Sequence, residues 1–326
     1  MSFLKLTALV LLVSAVACVS TAHGQSASRS ARVAVLSPGS QPIGALEALK
    51  EGLRERGYVE GKNLALEWRF AEGRNDRLPA LATEIVALKP DVIVVVNTQA
   101  AQAVKNATSA IPVVFVRVSD PTRTGLVATL SKPGGNVTGV SNVADEMGGK
   151  RLEMLKAVLP QASRVTVLWN AGNPGVALIL KDVEQSSTQL GVEVQNVGLR
   201  TAAELPSALE KVRASNAAAL FVLDDLLITS LKREILEFAA RSHLPVMTLY
   251  EEFVQGGALM SYGPSIEEMY RRTTGFVDRI LKGAHPRDLP VEQPTKFEMV
   301  LNLKTAKALG IDLPANVVSR ADKLVH

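Results

Sequence analysis

The chain repeats one pattern along its length: a short apolar run, then a segment whose apolar positions recur at helical spacing. Residues 91–96 and 218–223 are nearly unbroken apolar runs, as expected of parallel strands that are buried on both faces. Residues 64–70 alternate apolar and polar side chains instead, which places that strand near a sheet edge with one buried face. The alternation of strands and helices starts again after residue 141, so the pattern predicts two α/β lobes.

The remaining predicted elements follow from the same periodicities and from the turn residues that bound them. The predicted strands are 32–36, 64–70, 91–96, 113–118, 164–169, 192–197, 218–223, 245–250, 257–262 and 297–301, and the predicted helices are 42–56, 76–88, 97–109, 147–159, 175–190, 206–214, 230–242 and 265–282. Asp76 is expected to cap the second helix, and Ser265 and Glu268 have the spacing of a capping box that opens the last one.

The segment 120–141 is rich in Gly, Pro, Ser and Thr, and it separates the two halves of the pattern. It is therefore predicted to be the passage and hinge between the lobes. The last long helix is expected to return to the first lobe, and the Pro-rich tail to cross once more. These passages predict an N-terminal lobe of residues 31–140 plus about 265–284, and a C-terminal lobe of residues 141–264 plus about 285–326.

The N-terminus has the charged, apolar and small-residue order of a secretory signal, predicted to span residues 1–24. Its apolar run is too short for a stable membrane anchor. Cleavage after Ala22 or Gly24 would remove Cys18, the sole cysteine, so the mature chain would have no disulfide. The alternative is that Cys18 is the lipidated residue of a lipoprotein. Either processing route places the protein in the periplasm or outside the cell.

Composition narrows the range of partners. The formal net charge of +4 comes from 36 basic and 32 acidic residues scattered along the chain, so no basic face for nucleic acid is expected. Aromatic residues make up only 4% of the sequence, so the cores must be built from Val, Leu, Ile and Ala. The protein is expected to act as a monomer without a cofactor.

Candidate binding residues follow the strands, because helix N-termini at the carboxyl edge of a parallel sheet offer free N–H groups. Hydroxyls there suit a ligand carboxylate, and an acidic group on the opposite wall suits an ammonium, so an amino acid would satisfy both. The predicted ligand-binding residues are Ser37, Thr98, Gln99, Asp120, Asn170, Asp224 and Tyr250. Ser37 and Thr98 could instead serve only as helix caps, and Asp120 only as a turn residue before Pro121. Whether Asp224 or Asp225 faces the cleft stays open.

Motifs for catalysis are missing from the sequence. A dinucleotide-binding Gly-x-Gly-x-x-Gly does not follow the first strand, and neither a P-loop nor a Gly-x-Ser-x-Gly elbow occurs. The histidines after the leader fall in predicted loops or the tail, so neither an acid–base pair nor a metal cluster assembles. No catalytic residue and no metal ligand is therefore predicted.

Four passages closely resemble the ABC transporter substrate-binding family that includes tryptophan- and tyrosine-binding proteins. They are GLRERGYVEGKNLALEWRFAEG (52–73), SDPTRTGLVATLSKPGGNVTGVS (119–141), GGALMSYGP (256–264) and LPVEQPTKFEMVLNLKTAKALGIDLP (289–314). The resemblance implies a type I periplasmic-binding-protein fold: two Rossmann-like lobes with parallel-type sheets, three interlobe crossovers and a ligand between the lobes.

The resemblance also implies a function. The chain would be the extracytoplasmic solute-binding component of an ABC importer, with a membrane permease and an ATPase as partners. Its ligand site would lie near the end of the first strand, the Asn97 to Gln99 segment, the turn at 119–121, and Asn170 and Asp224. Two alternatives remain: a ligand-sensing domain that feeds a membrane signalling protein, and an α/β enzyme.

Overall fold

The computed structural model of the chain describes residues 30–39, 43–142 and 147–326. The predicted signal segment and Cys18 lie outside the described residues. Residues 31–326 form one compact unit. Among the described helices, none combines the length and the apolar character needed to cross a membrane.

Strands and helices alternate along the described residues, as the apolar pattern predicts. The strands are β1 Ala31–Ser37, β2 Leu64–Phe70, β3 Val92–Val96, β4 Val113–Val118, β5 Val137–Ser141, β6 Arg164–Asn170, β7 Glu193–Leu199, β8 Ala219–Val222, β9 Val246–Thr248, β10 Met260–Gly263, β11 Glu298–Asn302 and β12 Lys323–Val325. The helices are α1 Ile43–Glu55, α2 Leu78–Ala87, α3 Asn97–Ala107, α4 Met147–Val158, α5 Pro174–Gln189, α6 Leu205–Ala214, α7 Leu226–Ser230, α8 Lys232–Arg241, α9 Glu251–Gln255, α10 Ile266–Leu281, α11 Leu303–Ala308 and α12 Ala315–Val318.

The strands form two sheets, one for each lobe. The first has the order β2-β1-β3-β4-β5, and the second has the order β12-β11-β10-β9-β8-β6-β7. All pairs are parallel except β10 with β11. The apolar run β3 lies in the middle of the first sheet and the alternating strand β2 at its edge, which confirms both predictions. Buried Val, Leu and Ile dominate the cores.

The chain passes between the sheets three times: from β5 to α4, from β10 to α10, and from the end of α10 to β11. Helix α10 returns to the first lobe, where it packs on α1 and β4. Ser265 caps α10 by accepting a hydrogen bond from the Glu268 backbone N–H, as predicted. The fold is therefore that of the type I periplasmic binding proteins.

The prediction that 120–141 is the passage between lobes is wrong. Its last five residues form β5, which pairs with β4 inside the first sheet, so the crossing comes after Ser141. Gly139 is glycine because a Cβ there would lie 2.1 Å from the Phe115 backbone oxygen. Close packing explains the small residues of this strand, whereas the prediction took them as a sign of irregular structure.

Smaller corrections concern element boundaries. Asp76 does not cap a helix: it lies within a 3-10 turn, Asn75–Arg77, and α2 begins at Leu78 with Pro79 in its first turn. The helix predicted for 230–242 is present as α8, and a short helix that was not predicted, α7, precedes it and meets it at Leu231. The predicted strand at 257–262 begins only at Met260, because Gly257 turns the chain with a φ of 115°.

Candidate functional site

The two lobes contact each other directly through a buried polar network around Asp225. One carboxylate oxygen of Asp225 accepts hydrogen bonds from Asn97 of the first lobe at 2.6 Å and from Asn173 of the second at 2.7 Å. The other oxygen accepts from Asn170 at 2.7 Å and from the Leu227 backbone N–H at 2.8 Å. Four donors thus satisfy the buried charge, and Asp225 also caps α7.

A buried ion pair joins the lobes beside this network. A guanidinium nitrogen of Arg117, on β4, donates to a carboxylate oxygen of Asp224 at 2.7 Å, and both side chains are almost fully withdrawn from water. The Arg117 guanidinium also lies 4.5 Å from the centre of the Tyr250 ring. Thr229 donates to the second oxygen of Asp224 at 3.1 Å, so the carboxylate is satisfied from both sides.

The two first-lobe residues that make these contacts, Asn97 and Arg117, both have a positive φ angle. Asn97 has a φ of 78° where β3 passes into α3, and Arg117 has a φ of 58° where the β4–β5 register shifts. A β-bulge of this kind re-aims a side chain, and residues other than glycine rarely adopt such angles without a local gain. Here the gain is a polar side chain that reaches the other lobe.

Buried polar atoms without a hydrogen-bond partner among the described residues include the Ser37 hydroxyl and the Nη2 atom of Arg151. The hydroxyls of Tyr250 and Tyr270 are also buried, and the Arg117 guanidinium influences the pKa of both. Ser37 and Tyr270 belong to the first lobe, whereas Tyr250 and Arg151 belong to the second. Buried groups of this type are normally hydrogen-bonded, so this region of the cleft has unused donors and acceptors from both lobes.

Burial dominates the protonation equilibria of the cleft. It raises the pKa of Asp224 to about 6, although the Arg117 guanidinium beside that carboxyl works in the opposite direction. Burial likewise raises the pKa of Tyr250 to about 12 and raises the pKa of Tyr270. Both phenols therefore remain neutral hydroxyls at physiological pH, able to donate or accept a hydrogen bond.

The residues predicted from sequence fall into two groups in the structure. Asp224 and Tyr250 lie at the ion pair, and Ser37 is buried with a hydroxyl that has no hydrogen-bond partner among the described residues. Thr98, Gln99 and Asn170 engage protein groups at the lobe interface: the Gln99 side-chain amide donates to the Gly172 carbonyl of the other lobe at 2.7 Å. Thr98 accepts from the Ser119 backbone N–H at 3.3 Å.

Asp120, the seventh predicted residue, caps its own turn by accepting from the Arg123 backbone N–H at 2.8 Å. It also lines a separate groove of about 290 Å³ between the first lobe and α5, which includes Asp182. Arg123 lies within 3.5 Å of both carboxylates, so it bridges Asp120 and Asp182 across this groove.

Sequence reasoning missed Arg117, Arg151, Tyr270 and Asn173, and it named Asn97 only as part of the segment 97–99 that the resemblance implies. Arg117 stands inside an otherwise apolar strand, where a charged residue is itself a signal of a special role. Arg151 and Tyr270 have no such signal, because each occupies an ordinary position in an amphipathic helix. Among the described residues, no three His, Cys, Asp or Glu side chains come together as a metal site.

Comparison with known proteins assigns the chain to a family. The profile described as ABC transporter substrate binding protein matches residues 33–325. A tyrosine-binding protein of Clostridioides difficile (strain R20291) is 29% identical over 270 residues, which cover 82% of this chain and 77% of that protein. The crystal structure of an ABC domain from Streptococcus pneumonia in complex with L-Trp has a TM-score of 0.85 at 27% identity, covering 90% of this chain and 99% of that one.

The lobe arrangement agrees better with the L-Trp complex than with an open structure. The ligand-free, open form of CD0873, a substrate-binding protein with adhesive properties from Clostridium difficile, has 26% identity and covers 90% of this chain and 99% of its own, but its TM-score is 0.64. The direct interlobe hydrogen bonds described above likewise require closed lobes. The family is one of solute-binding proteins rather than enzymes, and it does not favour the sensory alternative. The chain belongs to the ABC transporter substrate-binding protein family.

Proposed function

We propose that the chain binds an amino acid between its two lobes and delivers it unaltered to the permease of an ABC importer. The observation that carries this proposal is the set of buried polar atoms, contributed by both lobes, that have no hydrogen-bond partner among the described residues, together with the Arg117–Asp224 pair between the lobes. Such atoms cost free energy unless they are hydrogen-bonded, and a polar solute would supply the partners. Two similar proteins, one named for tyrosine and one solved with L-Trp, support an amino acid as that solute.

Among the residues predicted from sequence, we assign two roles. Ser37, Asp224 and Tyr250 would contact the solute, because they adjoin the unpaired atoms. Gln99 would hold the lobes closed through its bond to Gly172 of the other lobe, while Thr98 and Asn170 would order the two faces of the interface through bonds within their own lobes. Asp120 stays a predicted ligand residue, although its turn and its groove lie apart from the ion pair.

Closure couples binding to transport. A solute that bridges the lobes adds contacts only when the lobes are closed, so it shifts the population towards the closed form. The closed form alone brings the outer surfaces of both lobes into one docking plane for a permease. The three crossing segments would act as hinges, since they are the covalent links between the lobes.

Export and oligomeric state belong to the same proposal. Residues 1–24 would direct secretion and be removed, which places the mature chain in the periplasm or outside the cell. Lipidation at Cys18 is the alternative route to that side of the membrane. The mature chain would act as a monomer, since its two lobes together enclose the solute.

The proposal is tested with the purified mature chain, stripped of bound solute by unfolding and refolding. Thermal unfolding is recorded against single amino acids, with sugars as a control class. An amino acid at about 100 times its dissociation constant should add about 2.7 kcal/mol of stability and raise the unfolding temperature. The bound compound should be recovered unchanged by mass spectrometry. A screen in which only sugars raise the temperature would refute the amino-acid assignment.

A further inference from the structure

We propose that Arg151 is the anion-binding residue of the cleft, where its guanidinium receives the carboxylate of the bound solute. This rests on the proposed function and specifies it: the solute must carry a carboxylate, and one named residue recognises that group.

The position of Arg151 places its side chain beside the cleft. Helix α4 follows the first crossover and leads down to the start of β6, so its first turns lie at the edge of the second sheet that faces the other lobe. Arg151 is in the second turn, and its guanidinium lies 5.7 Å from the centre of the Phe221 ring on β8. The charges of Tyr250 and Asp224 act on the pKa of Arg151 in the direction opposite to burial, in keeping with this placement.

Arg151 is buried without a counter-ion among the described residues. Its side chain is 1% exposed, Nε donates to the Met147 carbonyl at 3.1 Å, and Nη2 has no partner. Burial lowers the pKa of Arg151 to about 10, because the charged guanidinium is less favourable in a buried environment than in water. An uncompensated buried charge costs several kcal/mol, so such a residue is retained where a ligand completes it.

Arg117, Asp224 and Asp225 are already compensated by protein groups. Arg117 pairs with Asp224, and the Asp225 carboxylate accepts four hydrogen bonds. Glu252 lies 3.8 Å from Lys232, and its Oε1 has no hydrogen-bond partner among the described residues, but a carboxylate would repel a solute anion rather than bind it. A solute anion that bound Arg117 would compete with Asp224, whereas one that bound Arg151 would displace no described carboxylate.

The free part of the guanidinium suits a carboxylate. Nε is committed to a backbone carbonyl, which leaves the terminal nitrogens for the planar, two-point contact that carboxylates make with arginine. The hydroxyl of Tyr250, neutral and unpaired, is a neighbouring donor for the same group.

The first test needs no identified solute. Arg151→Met keeps a long apolar stem but removes the uncompensated charge. The unfolding temperature of the ligand-free variant should therefore be no lower than that of the parent, and a rise of about 2 °C or more is expected if the charge is costly. Arg241→Met removes an exposed charge as the matched control and should leave the temperature unchanged. A clear fall in the unfolding temperature of Arg151→Met would mean that the charge has a structural partner, and would overturn the proposal.

The second test uses L-tyrosine, L-tryptophan and the amides of both, measured by calorimetry. The parent protein should bind the acids at least about 30-fold more tightly than the amides, and Arg151→Gln should abolish that preference while leaving amide affinity within about threefold. If Arg151→Gln keeps the full acid-over-amide preference, the carboxylate lies elsewhere and the proposal is wrong. If neither acid binds the parent, the aromatic solutes are excluded from the proposed function, and the ligand-free comparison still decides the role of Arg151.

Discussion

Arg117 of the first lobe and Asp224 of the second form an ion pair across the cleft, 2.7 Å from nitrogen to oxygen and nearly sealed from water. The pair exists only when the lobes are closed, because its members belong to different sheets. Opening the lobes separates two charges but also rehydrates them. The pair therefore affects the equilibrium between the open and closed forms more than it affects the folding of either lobe.

Removing one member of this pair should open the lobes. Asp224→Asn or Arg117→Met leaves the remaining charge buried and unpaired on closure, so each should weaken solute binding by about 2–5 kcal/mol. Small-angle scattering of the ligand-free protein should show a larger radius of gyration. The double variant Arg117→Met/Asp224→Leu should recover part of the loss, because no buried charge remains.

A surface pair serves as the control for that experiment. Arg213 and Glu210 are both largely exposed and lie 3.1 Å apart, so Arg213→Met should change binding by no more than about 0.5 kcal/mol. A loss in the double variant equal to the sum of the two single losses would show that Arg117 and Asp224 act independently.

A second prediction concerns the closest approach of the lobes. Gly175 begins the second lobe's helix α5, and a Cβ there would lie 2.6 Å from the Thr98 hydroxyl and 3.0 Å from the Ser119 Cβ of the first lobe. Gly175→Ala should therefore act as a wedge that weakens solute affinity about tenfold or more, since overpacking costs about 1–3 kcal/mol. The unfolding temperature of the ligand-free protein should hardly change, because open lobes avoid the clash.

Two further variants test the steric explanation for Gly175→Ala. Gly135→Ala adds the same methyl group where no atom lies within 4 Å, so it should not alter affinity. Thr98→Ala combined with Gly175→Ala removes the nearest obstructing atom and should restore part of the binding. Calorimetry of the four proteins is sufficient, and an unaltered affinity for Gly175→Ala would show that the lobes need not approach this closely.

The architecture could be predicted from sequence because it depends on local patterns. The apolar run of β3 and the alternating run of β2 fixed their places in the sheet, and the Ser265 cap marked the start of α10. The hinge prediction failed at Gly139, where small residues serve tight packing against β4. Composition alone does not distinguish an irregular passage from a closely packed strand.

The candidate site was less predictable, because it depends on which residues of different lobes come together. Strand ends pointed to Ser37, Asp224 and Tyr250, but nothing in the sequence shows that Arg117 crosses the cleft to Asp224. Arg151, which we propose as a ligand residue, lies on a helix that is more than 60 residues away along the chain from Asp224, and such long-range relationships leave no local periodicity. Ligand contact by the seven predicted residues stays a prediction.

A third prediction isolates the amide contact between lobes. Asn97 is the first-lobe side chain that donates to Asp225, whereas Asn170 and Asn173 do so from within the second lobe. Asn97→Gly removes that donor together with the Oδ1 atom that accepts from Asn173 of the second lobe and from the Gln99 backbone N–H, each at 3.0 Å. Glycine tolerates the φ of 78°, so backbone strain is not a factor. Solute affinity should fall by about 1.5–3 kcal/mol, the usual value for a hydrogen bond to a charged group.

The comparison variant for Asn97 is Asn173→Ala, which removes a donor to the same carboxylate oxygen and also the hydrogen bond that Asn173 donates across the lobes to Asn97 Oδ1 at 3.0 Å. It also removes the α5 cap, so it should lower the stability of the unliganded protein, which Asn97→Gly should do much less. Chemical denaturation distinguishes the two. If Asn97→Gly lowers the unfolding free energy as much as Asn173→Ala does, then Asn97 stabilises folding rather than lobe closure.

The last prediction concerns alkaline stability far from the cleft, where the Tyr58 hydroxyl donates to an Asp278 carboxylate oxygen on α10 at 3.0 Å. Burial and the Asp278 charge raise the pKa of Tyr58 to about 12, above the value of about 10 expected in the unfolded chain. Because the folded pKa is the higher one, the contribution of Tyr58 is complete below pH 10 and is lost as the pH rises towards 12. Tyr58→Phe should therefore lower the unfolding free energy at pH 8 but much less at pH 12.

Tyr262→Phe, which removes a hydroxyl that bonds no described residue, is the control that cancels other alkaline titrations. Denaturation curves at both pH values measure the difference, and a Tyr58→Phe deficit that persists undiminished at pH 12 would contradict the assigned hydrogen bond.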